Sequence, residues 1–174
     1  MTATSELSRL LDVRQVEGKA ARILATADER AALAKRFGLV RIDSLSADLD
    51  LARNDRIVEA RGVLKAQLIQ SCAVSAEDIA VTVDEPVYIR FIPETETQPG
   101  ADDEIEIDAE DLDEIPYTGH HFDLGEAVAQ TLGLAIDPYL TGPNADAARK
   151  AAGIGAPEDQ GPFAALKGLA DRSQ

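Results

Sequence analysis

The sequence predicts an α+β protein: an antiparallel β-sheet packed by two amphipathic helices, with an acidic loop and a flexible C-terminal tail. Three observations carry this. Apolar residues recur at period two over residues 45–91, the pattern of strands with one buried face. Two other stretches show helical spacing, each opened by a capping signature. The final stretch turns to Ala, Gly and Pro, which cannot bury enough surface to pack.

The first helix is expected over Ala27–Phe37. Thr26 with Glu29 three residues on makes a capping box, Leu33 and Phe37 share a face, and Gly38 stands where a left-handed stop belongs. Strands follow. Leu45, Ala47, Leu49 and Leu51 alternate with polar residues, and Arg53-Asn54-Asp55 reads as a turn. Arg56–Gln70 resumes with Leu64, Ala66 and Leu68 on one side. Ile79, Val81 and Val83 form a further set, which Pro86 separates from Val87, Ile89 and Phe91. An antiparallel meander is the simplest arrangement of these segments.

Pro93–Gly100 reads as a loop, and Ile105 and Ile107 alternate with acids, so Glu104–Asp108 is expected as a short edge strand. Asp123 opens the second helix, with Glu126 completing an Asp-x-x-Glu capping box. Leu124, Ala127, Val128, Thr131, Leu132 and Ala135 then make one apolar stripe, ended by Asp137-Pro138. The expected organisation is a domain over residues 1–140, with its acidic segment at 94–114, and a linker and docking segment over 141–174.

Composition narrows the function. Hydrophobic residues are 45% of the chain but aromatics only 4%, so the core is expected to be aliphatic. There is no signal-peptide run at the N-terminus and no stretch near the roughly 20 apolar residues of a membrane span. We therefore expect a cytoplasmic protein without a membrane partner. The net charge is −15, from 32 acids and 17 bases; residues 91–148 hold fifteen acids and no Lys or Arg, so the remainder is neutral. Such a segment repels phosphate backbones and attracts basic surfaces. Asp102, Asp103, Glu104, Glu106, Asp108, Glu110 and Asp111 are the expected contacts to a basic protein.

The chemical motifs are few. The acidic run lacks the glycine that a calcium loop needs at its sixth position. His120 and His121 are adjacent and point apart on extended backbone, so they do not chelate together. Cys72 cannot form an internal disulfide, has no base near it in sequence, and is expected as a small, partly buried residue at a strand end. No catalytic residue, metal, cofactor or small-molecule substrate is expected. In the tail, Pro162 suits the first turn of a short helix, with Phe163, Leu166 and Leu169 along one side, either as an anchor for a partner or folded back onto the chain's own domain.

Four separated segments occur together in this order: Gly62–Val74, with Gln70 and Cys72 at its end; the acidic stretch; Phe122-Asp123-Leu124-Gly125-Glu126 leading to Leu134–Pro138; and Pro162–Leu166. In these the chain resembles the YceD (DUF177) family, the large ribosomal RNA subunit accumulation proteins, in its alphaproteobacterial form. The resemblance implies a role in synthesis, processing or stability of 23S rRNA. It brings no catalytic residues. It points to the large-subunit precursor, and the charge partition adds a basic ribosomal or assembly protein as the expected immediate partner. Direct rRNA binding through the bases of the N-terminal half is the alternative; an RNA-processing nuclease ranks lower, since Asp102–Glu114 reads as a solvated run. Many relatives carry a Cys-x-x-Cys-like pair where this chain has Gln70-Ser71-Cys72, and further cysteines or histidines where it has Pro138–Ala148. With a single thiol, this chain is not expected to assemble their zinc-type site.

Overall fold

The computed structural model describes residues 5–94 and 113–154. Contacts divide the chain into two units, Met1–Gln70 with Ala80–Asp137 and Ser71–Ile79 with Pro138–Gln174. The second unit thus takes in residues 71–79, which the sequence reading places inside the 1–140 domain.

The larger unit is built on strands. β1 (Leu10–Asp12) is followed by a 3-10 turn (Val13–Gln15) and then by β2 (Lys19–Leu24). Helix α1 (Ala27–Phe37) leads to the long strands β3 (Arg41–Asn54), β4 (Ile57–Ser71) and β5 (Asp78–Pro93). β6 (Asp113–Tyr117), β7 (His121–Asp123) and helix α2 (Leu124–Ala135) complete it. The main sheet has the order β2-β3-β4-β5-β6, and β1 pairs with β7 in a separate two-stranded sheet.

The period-two reading holds across β3 and β4. Leu45, Ala47, Leu49 and Leu51 on β3, and Leu64, Ala66 and Leu68 on β4, are all buried. Their neighbours Asp48, Asp50, Lys65 and Gln67 face solvent. Antiparallel register sets Leu49 opposite Gly62 and Ala47 opposite Leu64. A Cβ on Gly62 would lie 2.0 Å from the Asp48 carbonyl oxygen, so only glycine lets the two backbones approach this closely.

α1 has the bounds that its caps predict. Thr26 Oγ1 accepts from the Glu29 N–H while Glu29 accepts from the Thr26 N–H, and Gly38 closes the helix at φ +66°. Along α2 the buried residues include Leu124, Ala127, Val128 and Leu132, as the stripe requires. Gly133 leaves room there for the Phe37 ring.

Four expectations are corrected. Pro86 does not interrupt β5, which runs through it. β6 pairs with β5 only from Ile89 onward, so at Pro86 one side of β5 has no described neighbour, and a residue without an N–H is tolerated there. The meander is not wholly antiparallel, because β6 joins in parallel. The core is aliphatic except for one aromatic cluster: Phe91 and Phe122 lie 4.3 Å apart at 35°, with Tyr117 beside Phe122. Finally, the stretch read as linker from residue 141 contains a third helix, α3 (Ala145–Ala151). Its alanines are the best intrinsic helix formers, and that propensity prevails over the neighbouring Gly and Pro. The expected Glu104–Asp108 strand and the Phe163, Leu166, Leu169 anchor lie outside the described residues.

Candidate functional site

Of the motif residues that carry the resemblance, Asp123, Leu124 and Glu126 form one constellation in the larger unit, and Cys72 centres another in the smaller unit. In the larger unit, Asp123 is the N-cap of α2. Its Oδ1 accepts from the N–H groups of Gly125 and Glu126 at 3.0 and 3.1 Å, which satisfies donors that the first helical turn leaves open. The same carboxylate accepts from the Arg9 N–H at 2.7 Å and from Ser8 Oγ at 2.6 Å, so it also ties the N-terminal segment to the helix. Gly125 makes this approach possible, since a Cβ there would lie 2.4 Å from the Leu7 carbonyl oxygen. Leu124, next to the cap, is buried.

Glu126 does not complete a capping box. Its carboxylate turns instead to the Arg36 guanidinium, which donates through Nη1 at 3.0 Å and Nη2 at 2.8 Å, and it also accepts from Ser5 Oγ at 2.5 Å. Hydrogen bonding from Arg36, with smaller help from Ser5 and Gln130, pulls the Glu126 carboxyl down to about 2. Arg9 and Glu29 form a parallel case, and there the Arg9 hydrogen bond draws the Glu29 carboxyl down to about 2. These carboxylates are committed to holding the N-terminus, α1 and α2 together.

The second constellation surrounds Cys72. Its sulfur accepts from the N–H groups of Val74, Ser75 and Gly142 at 3.4, 3.3 and 3.3 Å. Hydrogen bonds from Ser75 first, then from Gly142 and Val74, bring the thiol down to about 7. The Ala73 N–H bonds to the Leu140 carbonyl, and Glu77 accepts from the Asn144 N–H and from Ser75 Oγ, each at 3.0 Å. Hydrogen bonding from the Asn144 backbone lowers the Glu77 carboxyl. Residues 71–77 and 140–144 therefore meet around this sulfur. Zinc does not fit the residues present: the groups aimed at the sulfur are N–H donors, which cannot ligate a cation. Among the described residues there is no group of three His, Cys, Asp or Glu side chains able to hold a metal.

Gln70 ends the sheet side of this motif in the larger unit. It is buried, and its Nε2 donates to the Asp137 carbonyl at 2.5 Å. His120 sits in a turn and His121 on β7, both exposed. Asp102, Asp103, Glu104, Glu106, Asp108, Glu110 and Asp111 lie outside the described residues. Sequence reasoning missed Ser5, Ser8, Arg9 and Arg36 as partners of the α2 cap, because they come from 90 or more positions away in the chain. It also missed Glu77 and Asn144; Glu77 stands five residues after Cys72, but no local pattern marks its partner.

The fold and these constellations define an α+β protein in which Asp123 caps a helix, Gly62 lies at a close approach of two strands and Cys72 centres a turn. A family model described as "Large ribosomal RNA subunit accumulation protein YceD" matches residues 60–170, and the chain belongs to that family. No curated protein and no solved structure matches it.

Proposed function

We propose that this protein supports synthesis, processing or stability of 23S rRNA as a non-catalytic factor of large-subunit biogenesis in the cytoplasm. Family membership carries this reading. Its proposed immediate partner is a basic ribosomal or assembly protein, met by Asp102, Asp103, Glu104, Glu106, Asp108, Glu110 and Asp111. The charge partition of the sequence supports that partner: fifteen acids without a base over residues 91–148.

Direct rRNA binding by the N-terminal half is supported less well. Arg14, Arg36, Arg41, Arg53, Arg61 and Lys65 each face a carboxylate, of Asp12, Glu126, Asp43, Glu17, Glu59 and Asp84 respectively. A base already paired releases fewer counterions on meeting a phosphate. No described helix is long and apolar enough to cross a membrane. The test is deletion of the gene followed by quantitation of 23S rRNA and of large-subunit particles. Reduced 23S rRNA with unchanged small-subunit rRNA is expected, and normal levels of both would overturn the reading. Neutralising Asp102, Asp103, Glu104, Glu106 and Asp108 to amides should weaken recovery of the basic partner and leave the fold intact.

A further inference from the structure

Helix α1 packs on β3, and a half-open groove of about 340 Å³ lies between the helix and the start of that strand. Ala27, Arg30, Ala31 and Lys35 line it from one face of the helix, and Val40 and Arg41 line it from the strand side. Among the described residues, three bases line this groove and no acid does. Arg30 is half-buried and fixed in place: its Nε donates to the Ile42 carbonyl at 3.2 Å and its Nη1 to the Ala25 carbonyl at 2.8 Å. Arg9, Arg14 and Arg36 are held the other way, each by a carboxylate. Neutral carbonyls position the Arg30 guanidinium without cancelling its charge, and they leave its Nη2 without a partner among the described residues.

We propose that this groove binds successive phosphates of a single-stranded nucleic acid. Charge selects an anion. Neither Arg30 nor Lys35 forms an ion pair among the described residues, and neither is one of the paired bases named above. Arg41 gives its Nε to Asp43 at 2.8 Å and keeps the terminal nitrogens of its fork. Of the two acids on α1, Glu29 is taken by Arg9, and Asp28 is exposed outside the lining. Set against Lys35, Asp28 still leaves Arg30 uncancelled. Spacing selects a strand over an isolated anion. Arg30 and Lys35 stand five residues apart, about 7.5 Å along the helix, so each meets its own phosphate of an extended backbone. Ala27 and Ala31 keep the floor low, which lets that backbone lie along the helix. No aromatic, amide or hydroxyl side chain lines the groove, so it has neither a platform for a base nor a group to read a base edge. The contact is therefore to phosphate and independent of base sequence. The inference rests on the direct rRNA-binding reading above, names the groove that would carry it, and does not depend on the acidic segment.

The test measures binding of the full chain to a labelled oligouridine strand, with inorganic phosphate and polyglutamate as the other arms. The strand should bind at low salt and be released as salt rises. Arg30 also ties α1 to β3, so two exposed positions carry the test. Lys35→Gln should reduce the slope of log Kd against log salt by about 0.7, the loss of one phosphate contact on a single strand. Ala31→Glu brings an acid into the groove without touching the core; it should keep the fold and weaken binding by about tenfold or more. Unaltered binding by folded Lys35→Gln and Ala31→Glu proteins would overturn the proposal, as would equal binding of polyglutamate. Binding of inorganic phosphate without the strand would assign the groove to a free anion and overturn it too. Strand binding that appears only after residues 95–112 are replaced by a Gly/Ser linker would assign the groove to the chain's own acids, with the same result. All of these are read on purified protein, so a failure here leaves the 23S rRNA levels after gene deletion as a separate result.

Discussion

Gly62→Ala tests whether the shared motif on β4 is architectural. The new Cβ would stand 2.0 Å from the Asp48 carbonyl oxygen and 2.9 Å from Leu49 Cα, where ordinary contact begins near 3.4 Å. The strands must separate by roughly an ångström or more at the Asp48–Val63 and Leu49–Gly62 pairs, in the middle of a long ladder. Weakening about two ladder hydrogen bonds costs about 1 kcal/mol each, and the forced backbone shift about 1–3 kcal/mol. Restricting the unfolded chain returns about 0.4–1 kcal/mol. The net expectation is a loss of about 2–4 kcal/mol, or roughly 5–15 °C in Tm for a chain of this length. Urea and thermal unfolding followed by far-UV circular dichroism would measure it. A change within about 0.5 kcal/mol would refute the steric reasoning. Unchanged stability with reduced 23S rRNA in cells would instead make Gly62 part of a contact surface.

Three other predictions can be measured, two from the geometry and one from the sequence of the tail. Glu29 and Glu126 have carboxyls drawn down to about 2 in the folded state, so the stability they contribute is present above about pH 4.5 and is lost as pH falls toward 2. Glu126→Gln should flatten that part of the pH–stability curve, and an unchanged slope would show that Arg36 does not hold this carboxylate. Cys72 also has a lowered folded value, about 7, so its contribution grows as pH rises from about 7 through the unfolded thiol range near 8.5. Because Cys72 is buried, native alkylation should be at least about 100-fold slower than in urea, with its pH midpoint near 7; fast labelling with a midpoint near 8.5 would contradict the three N–H contacts. Phe163→Ala with Leu166→Ala should leave Tm within about 1 °C and reduce retention on large-subunit precursors. A large fall in Tm would show that the segment packs on its own domain.

Local pattern in the sequence determined what depends on neighbours along the chain. The Thr26–Glu29 box and Gly38 delimit α1 because capping bonds span only three or four residues. Alternation at Leu45–Leu51 and Leu64–Leu68 names the buried face of β3 and β4, since side chains in a strand alternate strictly. Charge is equally local to read: the excess of acids over residues 91–148 follows from counting. Tertiary structure decided everything that pairs distant positions. Glu126 stands where a capping box would use it, yet an arginine 90 residues earlier offers two charge-assisted bonds, which outweigh one bond to its own backbone. β6 joins β5 in parallel, a choice between edges that no period in the sequence encodes. The three N–H groups around Cys72 include one from Gly142, seventy residues away, brought there only when the chain folds back on itself.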